Sequence, residues 1–404
     1  MVRCPTCGIR LRDDLPLCSI HGAPPVVAAP SEPDAAFEVP RPELPGYTVQ
    51  SLLGLGGFGA AFRAQRTADG VPVAIKVSRA DQYSASDRLL LEAEALRAIG
   101  APFVPTVYDV GRLSDGAAYM VMEFVRAPTL AVHLVDAAGP LTPEDFARYA
   151  VALVDLVAVA HDKGFVHCDL KPENVFVSSD PGRDGYVAKL FDFGLVRLVG
   201  ARRVDDTQEE APEGTPEYMS PEQCEGTNAV DTRSDVYALG VMLYEMATGS
   251  PPFWGNAALV QQNHRSRRPP LPSRRVSTPM LAAVEAVILR CLAKDPERRY
   301  AHAAALAHEL RLALTGPGGA PEITSVRIIA AADAPLESPT SKAKATAPQR
   351  ERRAVALVFF ESAAGVAAVR DAMVLVGGQL AHTAGSQVVI AFGHEVGDNP
   401  TRAA

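Results

Sequence analysis

The chain lacks an excess of positive charge: 39 Lys and Arg stand against 47 Asp and Glu, a formal net charge of −8. A protein that coats nucleic acid or an anionic lipid surface needs a dense positive face, so nucleic acid is not an expected partner. Long apolar runs are also missing. The most apolar stretch, Tyr149 to Ala160, is broken by Asp155 and falls short of the roughly 20 residues a bilayer requires, so no membrane segment is expected. The first twenty residues carry Arg3, Arg10, Arg12, Asp13 and Asp14, where a secretory leader needs an unbroken apolar core. A cytoplasmic protein is the expectation. Cysteine is scarce, six in 404 residues, and outside a secretory context such residues are thiols or metal ligands rather than a disulfide framework. No internal repeat is present.

What is there is enough apolar material for two or three packed domains, 48% of residues. Residues 1–22 hold three cysteines and a histidine at short spacing, and residues 23–45, rich in Pro and Ala, read as a semi-extended linker. Residues 46–314 open with strand patterns at Tyr47 to Leu53, Ala60 to Gln65 and Val71 to Ser78, then turn helical from about Ala85. From Thr142 onward helical periodicity dominates, with Pro143 just inside a helix start. A β-rich lobe followed by a helical lobe leaves a cleft between them for a ligand. Gly-Pro-Gly-Gly at 316–319 begins a Ser/Pro/Ala/Lys-rich stretch, so 315–352 is expected to be a disordered linker before a short α/β segment at 353–404.

Chemistry concentrates in the middle of the chain. Gly54-Leu-Gly56-Gly-Phe-Gly59 lies between two strand patterns, where missing side chains let backbone amides approach phosphate oxygens. Taken alone, it fits a plain glycine-rich hairpin better. Val73-Ala74-Ile75-Lys76 places an ammonium in an apolar strand, which demands a compensating carboxylate. Glu92 and Glu94 on the next helix are the candidates, and at about 200° apart only one can face the cleft. His167-Cys168-Asp169-Leu170-Lys171-Pro172-Glu173-Asn174, followed by Asp192-Phe-Gly, is denser in meaning. Asp169 can accept a hydroxyl proton and Lys171 can neutralise a transferring phosphate. Asn174 and Asp192 offer the hard oxygens that Mg²⁺ prefers. At the N-terminus, Cys4, Cys7, Cys18 and His21 form two short pairs that would close a tetrahedral Zn²⁺ site, against unligated thiols in a tail. Twenty-two residues cannot make a core, so metal would supply folding energy there, and a closed site is structural or partner-binding.

In order and spacing, the central motifs resemble the bacterial eukaryotic-like (Hanks-type) Ser/Thr protein kinases. The resemblance implies an α+β bilobal kinase fold; the Cys and His pairs before it resemble a small zinc ribbon, and a short α/β segment is expected behind it. It implies ATP and Mg²⁺ as cofactors and a protein with a Ser or Thr acceptor as partner. It selects Glu92 over Glu94, and makes Asp169, Lys171 and Asn174 catalytic. Gly54, Gly56, Gly59, Ala74, Lys76, Glu92 and Asp192 would contact the nucleotide. Met122 would guard the back of the adenine pocket, and Glu123 and Val125 would supply hinge contacts. Ala61 replaces the valine usual beside adenine. Lys171-Pro172 and Thr215 resemble the Ser/Thr branch. Ser220-Pro221-Glu222 would close the activation loop, with Arg299 as the ion-pair partner of Glu222, and Asp235 would anchor the catalytic loop.

One residue departs from the pattern: Cys168 stands where most members carry Arg. A thiol cannot bind an activation-loop phosphate, so activity is expected not to depend on Thr207, the one hydroxyl residue between Gly194 and Gly214. An inert small residue fits Cys168 better than a redox role, because neighbouring Asp169 raises a thiol pKa. Trp254 reads as packing, and the Arg-rich stretch from His264 to Arg275 as a solvated loop. Val355 to Glu361, Gly377-Gly378 and Gly385 to Gly393 resemble the opening of a class III nucleotide cyclase domain. Glu361 and Ser386 stand where that family has metal-binding aspartates, so a degenerate or truncated module and an unrelated α/β tail both stay open. A nucleotide-binding scaffold without transferase activity is the competing reading for the whole.

Overall fold

The structure is a computed structural model that describes residues 2–4, 6–11, 18, 41–56, 59–79, 83–180, 185–198, 214–226, 229–276, 282–315, 356–361, 379–384 and 387–392. Two compact units are present, Met1–Asp333 and Ala334–Ala404.

The first unit begins with a two-stranded ribbon of β1 (Val2–Arg3) and β2 (Arg10–Leu11). Then come β3 (Tyr47–Gly56), β4 (Gly59–Arg66), β5 (Pro72–Ser78), helix α1 (Tyr83–Ile99), β6 (Val107–Arg112) and β7 (Ala118–Glu123). The strands form one antiparallel sheet in the order β3-β4-β5-β7-β6. Helix α1 buries Leu89, Ala93, Leu96 and Ile99, a stripe at helical spacing, so it packs as an amphipathic cover and fixes which of its side chains face inward.

The helical part follows as α2 (Leu130–Ala137), α3 (Pro143–Asp162), the strand pairs β8 (Phe165–Val166) with β11 (Arg197–Leu198) and β9 (Val175–Asp180) with β10 (Gly185–Leu190), then α4 (Pro221–Cys224), α5 (Thr232–Thr248), α6 (Ala257–Ser266), α7 (Ala282–Cys291) and α8 (Ala303–Thr315). Thr142 caps α3 by accepting the Asp145 N–H, with Pro143 at the first helical position, as its sequence predicts. Helix α5 is apolar nearly all round and nearly all its residues are buried, which makes it the axis of this lobe. The main core runs from Leu96 on α1 through Phe193 to Tyr237 and Leu239 on α5, and a smaller one joins Ala64, Val73, Ile75 and Val121 in the sheet. Each buried aliphatic side chain in it contributes about 1.5–3 kcal/mol. Among the described residues no helix is long and apolar enough to cross a membrane.

The second unit shows β12 (Ala356–Glu361), β13 (Gln379–Ala384) and β14 (Gln387–Phe392) in an antiparallel sheet ordered β12-β14-β13. Ser386 and the helix-like stretch of this segment lie outside the described residues.

Strand β6 has no clean alternation in sequence and forms as an edge strand by pairing with β7. One local reading changes. The stretch from His264 to Arg275 is not uniformly a solvated loop. Arg267 and Arg268 are exposed, but His264 is fully buried on α6, bonded to the Tyr237 hydroxyl and the Glu217 carbonyl. Arg275 stacks on Trp254, 4.7 Å from its ring centroid.

Candidate active site

Asp235 lies on buried α5 and points its carboxylate under the loop after β8. Its Oδ2 accepts the His167 N–H at 2.7 Å, its Oδ1 accepts the Cys168 N–H at 2.9 Å, and His161 Nε2 lies 3.0 Å away. These donors offset the cost of burying the carboxylate. They also hold Cys168 at φ +67°, a left-handed conformation uncommon for a side chain with a Cβ.

The loop therefore presents Asp169 in a fixed orientation. Lys171 Nζ donates to Asp169 Oδ2 at 2.6 Å and to Thr215 Oγ1 at 3.0 Å, and the Thr215 N–H donates to Asp169 Oδ1 at 3.2 Å. Asn174 donates from Nδ2 to the Asp169 carbonyl at 2.9 Å, and its own carbonyl accepts the Phe191 N–H at 3.0 Å. Asp192 follows at φ +62°.

From the sheet side, Lys76 donates to both Glu92 oxygens at 2.9 and 2.7 Å and to Asp192 Oδ1 at 2.7 Å. Glu92 is buried on the inner face of α1, whereas Glu94 is exposed. Burial disfavours the Lys76 ammonium, but Glu92 and Asp192 outweigh it and raise its pKa. Burial likewise works against the Asp192 carboxylate, and Lys76 more than reverses this, so Asp192 titrates below its usual range. One ammonium among carboxylates, with a carboxamide beside them, is a donor set suited to phosphate and a hard divalent cation. The residues fit a nucleotide with Mg²⁺.

Gly59 and its two companions differ in purpose. A Cβ at Gly59 would stand 2.0 Å from the Val77 carbonyl oxygen, so β4 and β5 approach only because no side chain intervenes. Gly54 has open space where its Cβ would be, and at Gly56 the nearest atom is 3.9 Å off. Ala74 and Met122 are register partners across β5 and β7. Glu123 ends β7 and pairs with Lys189 at 2.7 and 2.6 Å, with half-buried Val125 just beyond.

The protein kinase domain profile matches residues 47–310. The chain belongs to the protein kinase family. It is 35% identical to the serine/threonine-protein kinase PknB of Mycobacterium tuberculosis over 284 residues, 69% of this chain and 44% of that one. It is 36% identical to Pkn1 and 35% identical to pkn3, serine/threonine-protein kinases of Myxococcus xanthus, over 66% of this chain and 39% and 49% of theirs. The chain thus spans less than half the length of these curated relatives. Residues 47–310 form a protein kinase domain.

In this kinase, Arg299 holds Glu222 through two bonds, Nη1 to Oε1 at 2.7 Å and Nη2 to Oε2 at 2.9 Å. Burial works against the Glu222 carboxylate, but Arg299 keeps its pKa below normal. Cys168 is buried, with its thiol on the Val166 carbonyl at 3.6 Å, and burial followed by the Asp235 charge raises its pKa well above the usual thiol value. Thr207 lies outside the described residues.

The sulfur atoms of Cys4, Cys7 and Cys18 all lie within 4.8 Å of one another, while His21 is outside the described residues. Burial opposes ionisation of Cys4, yet backbone amides of Cys7 and Thr6 draw its pKa down to about 6. The thiolate is the form in which a cysteine can bind metal.

The sequence reading missed Arg3 and Arg10. Arg10 inserts into the helical lobe of the kinase, with Nε 2.9 Å from Glu245 Oε1, and pairs with Glu173 of the catalytic loop. Burial pushes the Glu245 carboxyl up, but Arg3 and Arg10 overcome it and hold it at about 2. The available signal was Glu245 itself, a carboxylate within the apolar run Val241-Met-Leu-Tyr-Glu-Met246, which needs a cation from elsewhere.

Proposed function

We propose that the protein is an ATP- and Mg²⁺-dependent kinase that phosphorylates Ser and Thr hydroxyls of proteins. The observation that carries this reading is the network joining Asp169, Lys171 and Thr215. The substrate oxygen attacks the γ-phosphorus, the bond to the ADP oxygen breaks, and the hydroxyl proton passes to Asp169. Lys171 offsets charge on the transferring group, and Lys76, steadied by Glu92, positions the other phosphates. Asn174 and Asp192 would hold Mg²⁺, which supplies charge neutralisation on the phosphates. Gly54, Gly56 and Gly59, with Ala74, Met122, Glu123 and Val125, would enclose the nucleotide. Transfer of labelled phosphate to serine and threonine hydroxyls of an acceptor protein by the wild type, lost in Asp169→Asn, tests the reading. Nucleotide binding without any transfer would instead make the protein a docking scaffold.

The gathered sulfurs of Cys4, Cys7 and Cys18 support a structural Zn²⁺ site in residues 1–22, with His21 as fourth ligand. Metal analysis of protein prepared without chelator is expected to find one zinc per chain, lost in Cys4→Ser; its absence from the wild type overturns the site. A cytoplasmic setting fits six cysteines with free thiols. The division into a kinase domain at 46–314, linkers at 23–45 and 315–352, and a segment at 353–404 remains our reading of composition. For that last segment, the antiparallel sheet of β12, β13 and β14 suits a cyclase-like module or a small α/β tail equally.

A further inference from the structure

Arg3 and Arg10 face each other across the ribbon of β1 and β2. Like charges directly opposite in a ladder repel, so the ribbon alone is a poor structure. Docking removes the conflict: Arg3 Nη1 lies 2.8 Å and Arg10 Nε 2.9 Å from the same Glu245 oxygen. Both guanidinium groups also donate to the Tyr218 hydroxyl, at 2.9 Å from Arg3 and 2.6 Å from Arg10. A second seat lies at Trp254. A Cβ at Gly8 would stand 2.6 Å from the indole, and Gly8 has φ +75°, so only glycine keeps that contact unstrained.

This seat adjoins the acceptor position. Glu173 follows Lys171 by two residues, and the Tyr218 N–H donates to the Thr215 carbonyl at 3.0 Å. Thr215 and Lys171 in turn hold Asp169. An extended protein segment advances about 3.3 Å per residue. A few residues flanking a hydroxyl placed at Asp169 are enough to reach Glu173 and Tyr218, which the ribbon covers. Nothing in the ribbon has a part in the transfer chemistry.

We propose that residues 2–11 are a reversible in-cis competitor of the protein substrate, seated on the acceptor surface by Arg3 and Arg10. The proposal rests on the phosphoryl-transfer reading of Asp169, but needs no particular metal occupancy. When the ribbon lifts, Glu245 loses its cations and the surface becomes an acidic recess open to a protein segment.

Full-length wild type, Gly8→Ala and Arg10→Ala are compared with myelin basic protein as acceptor, and the emission of Trp254, the only tryptophan in the chain, is recorded for each. For a ribbon docked about nine-tenths of the time, both variants lower the KM for the acceptor about tenfold. The kcat and the KM for ATP stay within about twofold of wild type on the same reasoning, and Trp254 emission shifts to the red as the indole is uncovered. An unchanged acceptor KM, or a fall in kcat at constant KM, overturns the proposal and makes the ribbon a structural brace. A wild type that phosphorylates neither itself nor the acceptor contradicts the kinase reading instead. Trp254 emission needs no catalysis and still judges the docking: no red shift in Gly8→Ala overturns it.

Discussion

Gln223 donates from Nε2 to the carbonyl oxygen of Cys168 at 2.6 Å. It also closes a capping box with Ser220 at the start of α4. The end of the activation loop thus grips the catalytic loop through a neutral amide, where an arginine at position 168 would need a phosphate to grip. Thr207→Ala is therefore expected to keep phosphotransfer within about twofold of wild type. Gln223→Ala is expected to lower kcat about tenfold, because the loop loses a positioning contact. Steady-state rates check both; abolished activity in Thr207→Ala refutes the first.

The Lys76–Glu92 pair gives a sharper test of the nucleotide side. Glu92→Gln keeps the size of a buried group and removes its charge, leaving Lys76 with Asp192 alone. The expected loss in kcat/KM is about 100-fold. Glu94→Gln, on the exposed face of the same helix, is the control and is expected to change nothing. Equal losses in both would assign the effect to the helix rather than to the pair.

This pair was legible in the sequence because an ammonium in an apolar strand has few solutions, and helical geometry admits one of two glutamates. The catalytic loop was legible for a similar reason: Asp169, Lys171 and Asn174 pack their chemistry into six positions. Arg10 was not. Its partners Glu173 and Glu245 lie 163 and 235 positions away, and no local period encodes a contact of that span. Strand β6 was hidden because an edge strand needs only its neighbour's backbone, so Val107 to Arg112 carries no alternation to read.

Glu222 and Arg299 are both buried, so either partner left alone is an uncompensated charge. Glu222→Ala is expected to cost about 3–5 kcal/mol. At about 2–4 °C per kcal/mol for a domain of this size, thermal melts should show a drop well beyond error. A loss below about 1 kcal/mol would place the pair with exposed salt bridges instead.

Acid should loosen the kinase through Glu245. Its pKa falls from 4.5 to about 2 on folding; the native state therefore favours the ionised form. The stabilisation is complete above pH 4.5 and drains away as pH falls towards 2. It amounts to about 3 kcal/mol. Denaturant titrations at stepped pH should show this slope in the wild type and a flatter one in Glu245→Gln. Identical slopes would remove Glu245 as its source.

Loops are where most folds loosen first. Here two consecutive amides of the catalytic loop hang from Asp235, in the first turn of the deeply buried helix α5. The loop cannot wander while that helix stands, and it loses both of these anchors once the helix melts. Heat inactivation and global unfolding of this domain are thus one event, and a mild warming that leaves the core intact leaves turnover intact with it.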